Sequence, residues 1–446
     1  MSGYAWPARR GVTADAGRTA RDLAIGAVAA AIVGLLLGAH VLYALLVPAA
    51  LSAVWLAVRP RPAAVALGAS IPAVQAIASG QLSLHVGVAD LLLVLLLFAA
   101  AGAAVLERDG TVFRALRPVR FPVLQYCLFV LLLLVAHGFA GLTQTLQRYE
   151  LIAFPLVAGG YLAFRGMHFA LLKAYVVAAT VLAIVFPFDS LGLDKNPAGQ
   201  FVAGAILLLV GLPRLGRFRI LLPLLVYGLF ASQSRGSMLA CVVGIAVLLG
   251  LRFLHSPRQA ITTGVVIVAI AVAAFELMPS SAQAFITTYQ TQVTNTNYQT
   301  ETANIHAAWN IRYRQHYWHD ALSIIRAHPW LGVGVGSYAD ADLSLQPPPG
   351  AFSAADPHDV LLLQAAEGGW AFAGSFVVLI LGTAIALLRL RRVELAPVAL
   401  AVVLATVTHG LLDVYWVRGT PVLGWLLVGM VCVTALRRPE PEPEPS

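Results

Sequence analysis

Charge is scarce in this sequence. Asp, Glu, Lys and Arg together make up 11% of its 446 residues, against roughly 25% in a soluble domain. A soluble fold of this length needs charged surface to stay dissolved, so a soluble enzyme is excluded. With 59% apolar residues, a disordered chain is excluded as well. Cysteine is rarer still. Cys127, Cys241 and Cys432 are the three in the chain, each inside an apolar run, which rules out a secreted disulfide scaffold and leaves no cysteine zinc site. What the chain has instead is hydrophobic length, with a mean hydropathy of +0.81. It reads as an all-α, polytopic transmembrane helical bundle. The net charge of +8 would suggest nucleic acid in a soluble protein. Here it points to the positive-inside rule and to an anionic lipid or substrate, with no nucleic-acid partner.

Apolar runs of membrane-crossing length predict spans near residues 23–39, 41–58, 63–79, 86–106, 121–139, 149–164, 170–188, 197–213, 219–232, 236–251, 260–277, 359–388, 396–411 and 419–436. Some are weak, so about 12–14 spans are expected. The first run follows Arg9, Arg10, Arg18 and Arg21 without a clear small-x-small cleavage site, and is taken as a retained helix. All but seven of the 29 Lys and Arg residues fall in one alternating set of loops. Those loops are expected to be cytoplasmic, with both termini. The chain then divides into N-terminal transmembrane helices (1–277), a large periplasmic loop with amphipathic helices (278–358), C-terminal transmembrane helices (359–438) and a disordered Pro-Glu tail (439–446).

The seven exceptions are Arg148, Lys195, Arg235, Arg312, Arg314, Arg326 and Arg418. Insertion disfavours positive charge on the far side, so an anionic ligand is a natural reason for them. Several lie in unusual local sequence. "ASQSRGSMLA" places Arg235 among serines between two apolar stretches, where a charge at membrane depth suggests function. "DKNPAGQF" places Lys195 before a span, with Asn196 and Pro197 reading as a helix start. "AAWNIRYRQHYWHDALSIIRAH" is basic, aromatic and amphipathic, as a helix lying along a membrane surface would be. "PWLGVGVGSY" alternates Gly332, Gly334 and Gly336. Such a turn either offers N–H groups to a phosphate or packs tightly on a helix. It lacks the dinucleotide fingerprint and its βαβ setting. His358 follows Pro357 and opens the next helix, "HDVLLLQAAEGGW". In "THGLLDVYW", His409 and Asp413 share one helical face. Asp413 needs a partner, which Arg235, Arg314, Arg418 or His358 could supply. Asp340 and Asp342 form an Asp-x-Asp pair that could hold Mg²⁺ or Mn²⁺.

These pieces, in this order, resemble the O-antigen ligase and polymerase superfamily of bacterial membrane glycosyltransferases. The matching elements are "KNPAGQ", "SQSRGSMLA", "RYRQHYWHDALSIIRAHPWLGVGVGSY", "PHDVLLLQAAEGGW" and "HGLLDVYW", across roughly residues 190–435. The family pattern appears as Arg314 before Trp318, Pro329 through Gly334, and His358 with Glu367 and Gly369. Asp359 departs from it, standing where members usually carry Asn or another neutral polar residue. The resemblance implies a GT-C-like bundle in the inner membrane that serves lipopolysaccharide biosynthesis. The donor would be a glycan on undecaprenyl diphosphate, and the acceptor the lipid A-core oligosaccharide or, in a polymerase, a second lipid-linked glycan. It implies inverting transfer with neither metal nor cofactor. Arg235 and Arg314, with Arg312 and Lys195 nearby, would hold the diphosphate, since guanidinium groups fork onto its oxygens. His358 would be the general base, and Asp413 would orient it or an arginine. A secondary transporter is the alternative of another class. It calls for internal repeats and helices broken at the midplane, neither of which the sequence displays.

Overall fold

The computed structural model describes residues 59–73, 88–185, 195–254, 256–277, 303–344, 356–412 and 419–437. No strand occurs among them. The chain divides into two compact units, Met1–Ala63 and Ala64–Ser446. Of the first, only residues 59–63 are described, a bend and the first turn of helix α1 (Pro60–Ala73). The expected spans at 23–39 and 41–58 lie outside the described residues.

The second unit is a helical membrane bundle. After α1 come α2 (Val88–Leu106), α3 (Thr111–Ala115), α4 (Arg117–Ala136), α5 (Leu142–Phe164), α6 (His168–Val185) and α7 (Lys195–Gly211). A 3-10 segment (Pro213–Leu221) leads into α8 (Leu222–Ala231), α9 (Arg235–Phe253) and α10 (Pro257–Glu276). Then follow α11 (Ala303–Ala327), α12 (Tyr338–Ser344), α13 (Val360–Arg389), α14 (Ala396–Gly410) and α15 (Val422–Leu436). Among the described residues, six of these helices are long and apolar enough to cross a membrane: α2, α4, α6, α9, α10 and α13. The remaining predicted spans coincide with α1, α5, α7, α8, α14 and α15. Helix α10 keeps Val265, Val266, Val268 and Val272 exposed, as a lipid-facing helix does.

Lipid gives helices no hydrophobic reason to associate, so close backbone approach through small residues has to do it. The α5–α15 crossing is built this way. A Cβ on Gly429 would overlap the Leu156 carbonyl oxygen, and one on Gly159 would overlap that of Leu426. Helices α4 and α13 pack together, as do α9 and α14, and α13 and α14 are neighbours.

Helix α13 departs from the sequence expectation. It is broken at Gly368 (φ −138°, ψ 15°) and Gly369 (φ 73°, ψ −179°). The Gly-Gly pair had read as part of one continuous span. The left-handed φ at Gly369 suits a residue without Cβ, and a Cβ there would also strike the carbonyl of Trp330. Broken helical backbone is tolerated at membrane depth only where protein takes up the freed polar groups. Here it does: the Trp370 N–H donates to Pro329 O at 3.0 Å, while Ala366 O and Glu367 O accept from Val333 (3.0 Å) and Gly334 (2.9 Å).

Candidate functional site

Two groups of polar residues are built on the neighbouring helices α13 and α14. The first surrounds the start of α13. The apolar face of α11 puts Ala321, Ile324 and Ile325 against Leu363, Ala365, Ala366 and Ala373 of α13. From Ala321 to Ile325, that face is covered by protein. The chain then turns through Gly332 (φ 61°), Gly334 (φ 100°) and Gly336 (φ 81°). The Gly336 N–H donates to Glu367 Oε1 at 2.8 Å. With the bonds from Val333 and Gly334, three N–H groups of the turn are directed at α13, which decides between the two readings of this segment. It is a turn packed on a helix, and those N–H groups are not free for a phosphate.

Arg148 is also accounted for by protein. Its Nη2 donates to Glu367 Oε2 at 2.7 Å, with side-chain exposures of 7% and 3%. Of the seven basic residues assigned to an anionic ligand, this one has a buried carboxylate instead.

His358 precedes the helix start. The N-cap of α13 is Asp359, whose Oδ1 accepts from Leu361 N (2.8 Å) and Leu362 N (3.0 Å). Burial raises the Asp359 carboxyl above the ordinary carboxylate range, while the two N–H bonds pull it down. Asn caps a helix as well as Asp does, so the departure from the family pattern at this position has a structural account. His358 adopts a left-handed φ of 53°. Its N–H donates to Asp356 Oδ1 at 2.8 Å, and its ring stacks on Tyr317 at 5.6 Å between centroids and 21° between planes. Tyr317 lies one turn beyond Arg314 on α11, so both belong to one helical face. Arg314 and Trp318 are half-buried. The side chain of Arg312 lies outside the described residues. On α12, Asp340 is exposed and Asp342 buried, so this Asp-x-Asp pair points to different sides of its helix.

The second group joins α7, α9 and α14. Gln233 takes a left-handed φ of 52° at the α8–α9 link. Ser234 caps α9, its Oγ accepting from Ser237 N at 3.3 Å. Ser237 Oγ donates to Asn196 O at 3.1 Å. Arg235 is half-buried in the first turn of α9. Beside it, a Cβ on Gly236 would lie 2.8 Å from Nε2 of His409. His409 is fully buried, with Nδ1 2.8 Å from Gln200 Oε1. The structure thus gathers the motifs containing Asn196, Arg235 and His409 in one place, and those containing Arg314, Gly332 and His358 in another. The Lys195 side chain, Asp413 and Arg418 lie outside the described residues.

Sequence reasoning gave no role to Gln200 or Glu367. Glu367 did carry a signal, as a carboxylate in an apolar run that requires a cation within reach, and Arg148, just before another apolar run, is its complement. Among curated proteins, none matches the chain. The family model described as O-antigen ligase matches residues 220–371, a segment that holds Arg235, Arg314, the glycine turn, His358 and the break in α13. Over that segment the chain is similar to the O-antigen ligase family.

Proposed function

We propose that this protein is an O-antigen ligase of the inner membrane, joining a glycan from undecaprenyl diphosphate to the lipid A-core oligosaccharide at the periplasmic face. The observation that carries this reading is the placement of His358. It is held by Tyr317 at the entrance to α13, on the same helix that bears Arg314. Imidazole can take a proton near neutral pH, so His358 is the base that removes the proton of the acceptor hydroxyl. The freed oxygen attacks the anomeric carbon from the side opposite the diphosphate, which leaves with the bonding electron pair, and the configuration inverts. Arg235 and Arg314 bind the diphosphate and stabilise its charge as it departs. Arg312, two residues before Arg314, and Lys195, next to the Asn196 that accepts from Ser237 on α9, are further cations for the donor, and Asp413 orients the base or an arginine. Neither a metal nor a cofactor is required in this scheme.

The same donor chemistry would serve a polymerase, which differs only in its acceptor. The test is the lipopolysaccharide of a deletion strain. Loss of all polymer from the lipid core, with lipid-linked polymer accumulating, supports the ligase. Cores capped with a single repeat indicate the polymerase. Topology is tested separately with reporter fusions. A reporter at Gln299 should be periplasmic and one at either terminus cytoplasmic, and a cytoplasmic Gln299 overturns the assignment of the site.

A further inference from the structure

We infer that Arg148 and Glu367 are a positioning pair: Arg148 fixes Glu367, Glu367 fixes the glycine turn, and the turn fixes where α11 presents Arg314 and Tyr317 to His358. This rests on the proposed transferase reading for its functional consequence, but the geometry is independent of it. Glu367 uses both carboxylate oxygens, one toward Arg148 Nη2 at 2.7 Å and one toward the Gly336 N–H at 2.8 Å. One carboxylate therefore links α5, α13 and the turn. It lies beside the break at Gly368 and Gly369, where the Trp370 N–H and the Ala366 and Glu367 carbonyls are bonded to the segment that carries the turn. A second tie reaches the turn from the end of α4, where His137 Nε2 donates to Leu331 O at 3.1 Å. The turn immediately follows α11, and α12 begins two residues after Gly336, so a shift of the turn carries α11 with it.

A buried ion pair is weak grounds for stability, since apolar replacement of both partners is often neutral. A single bridge at a break point is better explained by placement. Reaction geometry is sensitive to shifts of about 1 Å, so neither residue need touch the substrate for both to matter.

The experiment uses the full chain in lipid nanodiscs. Spin labels go on two exposed positions, Thr143 at the start of α5 and Ala327 at the end of α11. The parent protein should give one narrow label-to-label distance. Glu367→Gln keeps an acceptor for Gly336 but loses the bond to Arg148, and Arg148→Gln removes the guanidinium while leaving the Glu367–Gly336 bond in place. Each should broaden or shift the distance and lower kcat at least tenfold, with KM for the lipid-linked donor changed less than threefold. Arg148→Lys, which keeps the charge, should restore the narrow distance and part of kcat. If either single variant fails to insert, the double variant Arg148→Gln/Glu367→Gln leaves no buried charge unpaired and should show the same broadening. An unchanged narrow distance in the Gln variants overturns the proposal, whatever their kcat. A parent protein that transfers no glycan would refute the proposed function, while the distance measurement would still decide the positioning.

Discussion

His409 Nδ1 lies 2.8 Å from Gln200 Oε1, and the two side chains are buried together between α14 and α7. The neighbouring bonds fix which atom donates. Thr406 Oγ1 donates to Val402 O at 2.9 Å, so it accepts from Gln200 Nε2 at 3.2 Å. Gln200 Oε1 is then the acceptor, and His409 must carry its proton on Nδ1 in the neutral ring. The Nε2 side of the ring faces Gly236 in the first turn of α9, where Arg235 begins the helix. Such a histidine is a fixed part of the helix packing.

The first prediction follows from that packing. A Cβ on Gly236 would meet His409 Cδ2 at 2.6 Å and Nε2 at 2.8 Å. The ring is buried and tied to Gln200, so it cannot move aside. Gly236→Ala should therefore lower stability by about 1–3 kcal/mol, the range for overpacking. Adding His409→Ala vacates the space and should return part of the loss. Thermal unfolding in detergent measures both, and no loss in the single variant would mean that the helices part more readily than the contact implies.

The arginines give a second prediction. If Arg235 and Arg314 grip a diphosphate, Lys at either position keeps the charge but cannot fork. Each lost charge-assisted contact should cost about 1.5–3 kcal/mol, or roughly 10–150-fold in kcat/KM. Transfer should then persist in EDTA, because arginines in that role would neutralise the leaving group. Near-normal turnover by both Lys variants would remove them from the donor site. Activity abolished by EDTA and restored by Mg²⁺ would return attention to Asp340 and Asp342.

The Asp359 cap yields a third. Asp359→Asn retains the oxygen that accepts from Leu361 and Leu362, so helix α13 should start unchanged. Asp359→Ala should cost about 1 kcal/mol. The pH dependence has a definite sign. Burial raises the folded-state pKa of Asp359, so the folded state binds its proton more readily than the unfolded state does. The penalty is fully present above the folded pKa and fades as pH falls to the unfolded value. Asp359→Asn should therefore be at least as stable as the parent at pH 7, with the difference vanishing in acid. Unfolding midpoints across pH 4–8 give the comparison, and an Asn variant that loses stability only at neutral pH would contradict it.

The bundle itself was legible because hydrophobic run length and basic-residue alternation are local signals. So was the presence of α11, where the amphipathic periodicity speaks for itself. The pairing of Arg148 with Glu367 was not, because 219 residues separate them and each alone reads only as a charge in need of a partner. The glycine turn was ambiguous for a related reason. Exposed N–H groups look the same in sequence whether a phosphate or a broken helix receives them. The Gly368–Gly369 break was hidden by the apolar residues around it, which continue a span pattern regardless of backbone direction.

The last prediction concerns the base. His358 stacks on Tyr317 just before α13, and Arg314 lies one turn before Tyr317 on α11. His409 is fully buried, with Nδ1 committed to Gln200. Removing a general base slows a reaction by about 10²–10⁴-fold. His358→Ala should thus insert, bind the lipid-linked donor and transfer almost nothing. The backbone calls for a control, because φ at His358 is 53° and Ala tolerates that region poorly. Asn adopts it more readily than most residues, so His358→Asn separates backbone strain from lost proton transfer. It should be as stable as the parent and still inactive. Tyr317→Phe keeps a ring to stack on and should retain most activity, whereas Tyr317→Ala should lower kcat by releasing the imidazole. The measurement is transfer from purified lipid-linked glycan, with donor binding followed in parallel. If His358→Asn keeps more than about a tenth of parental turnover, a deficit well short of the range for a lost base, the proton leaves by another group.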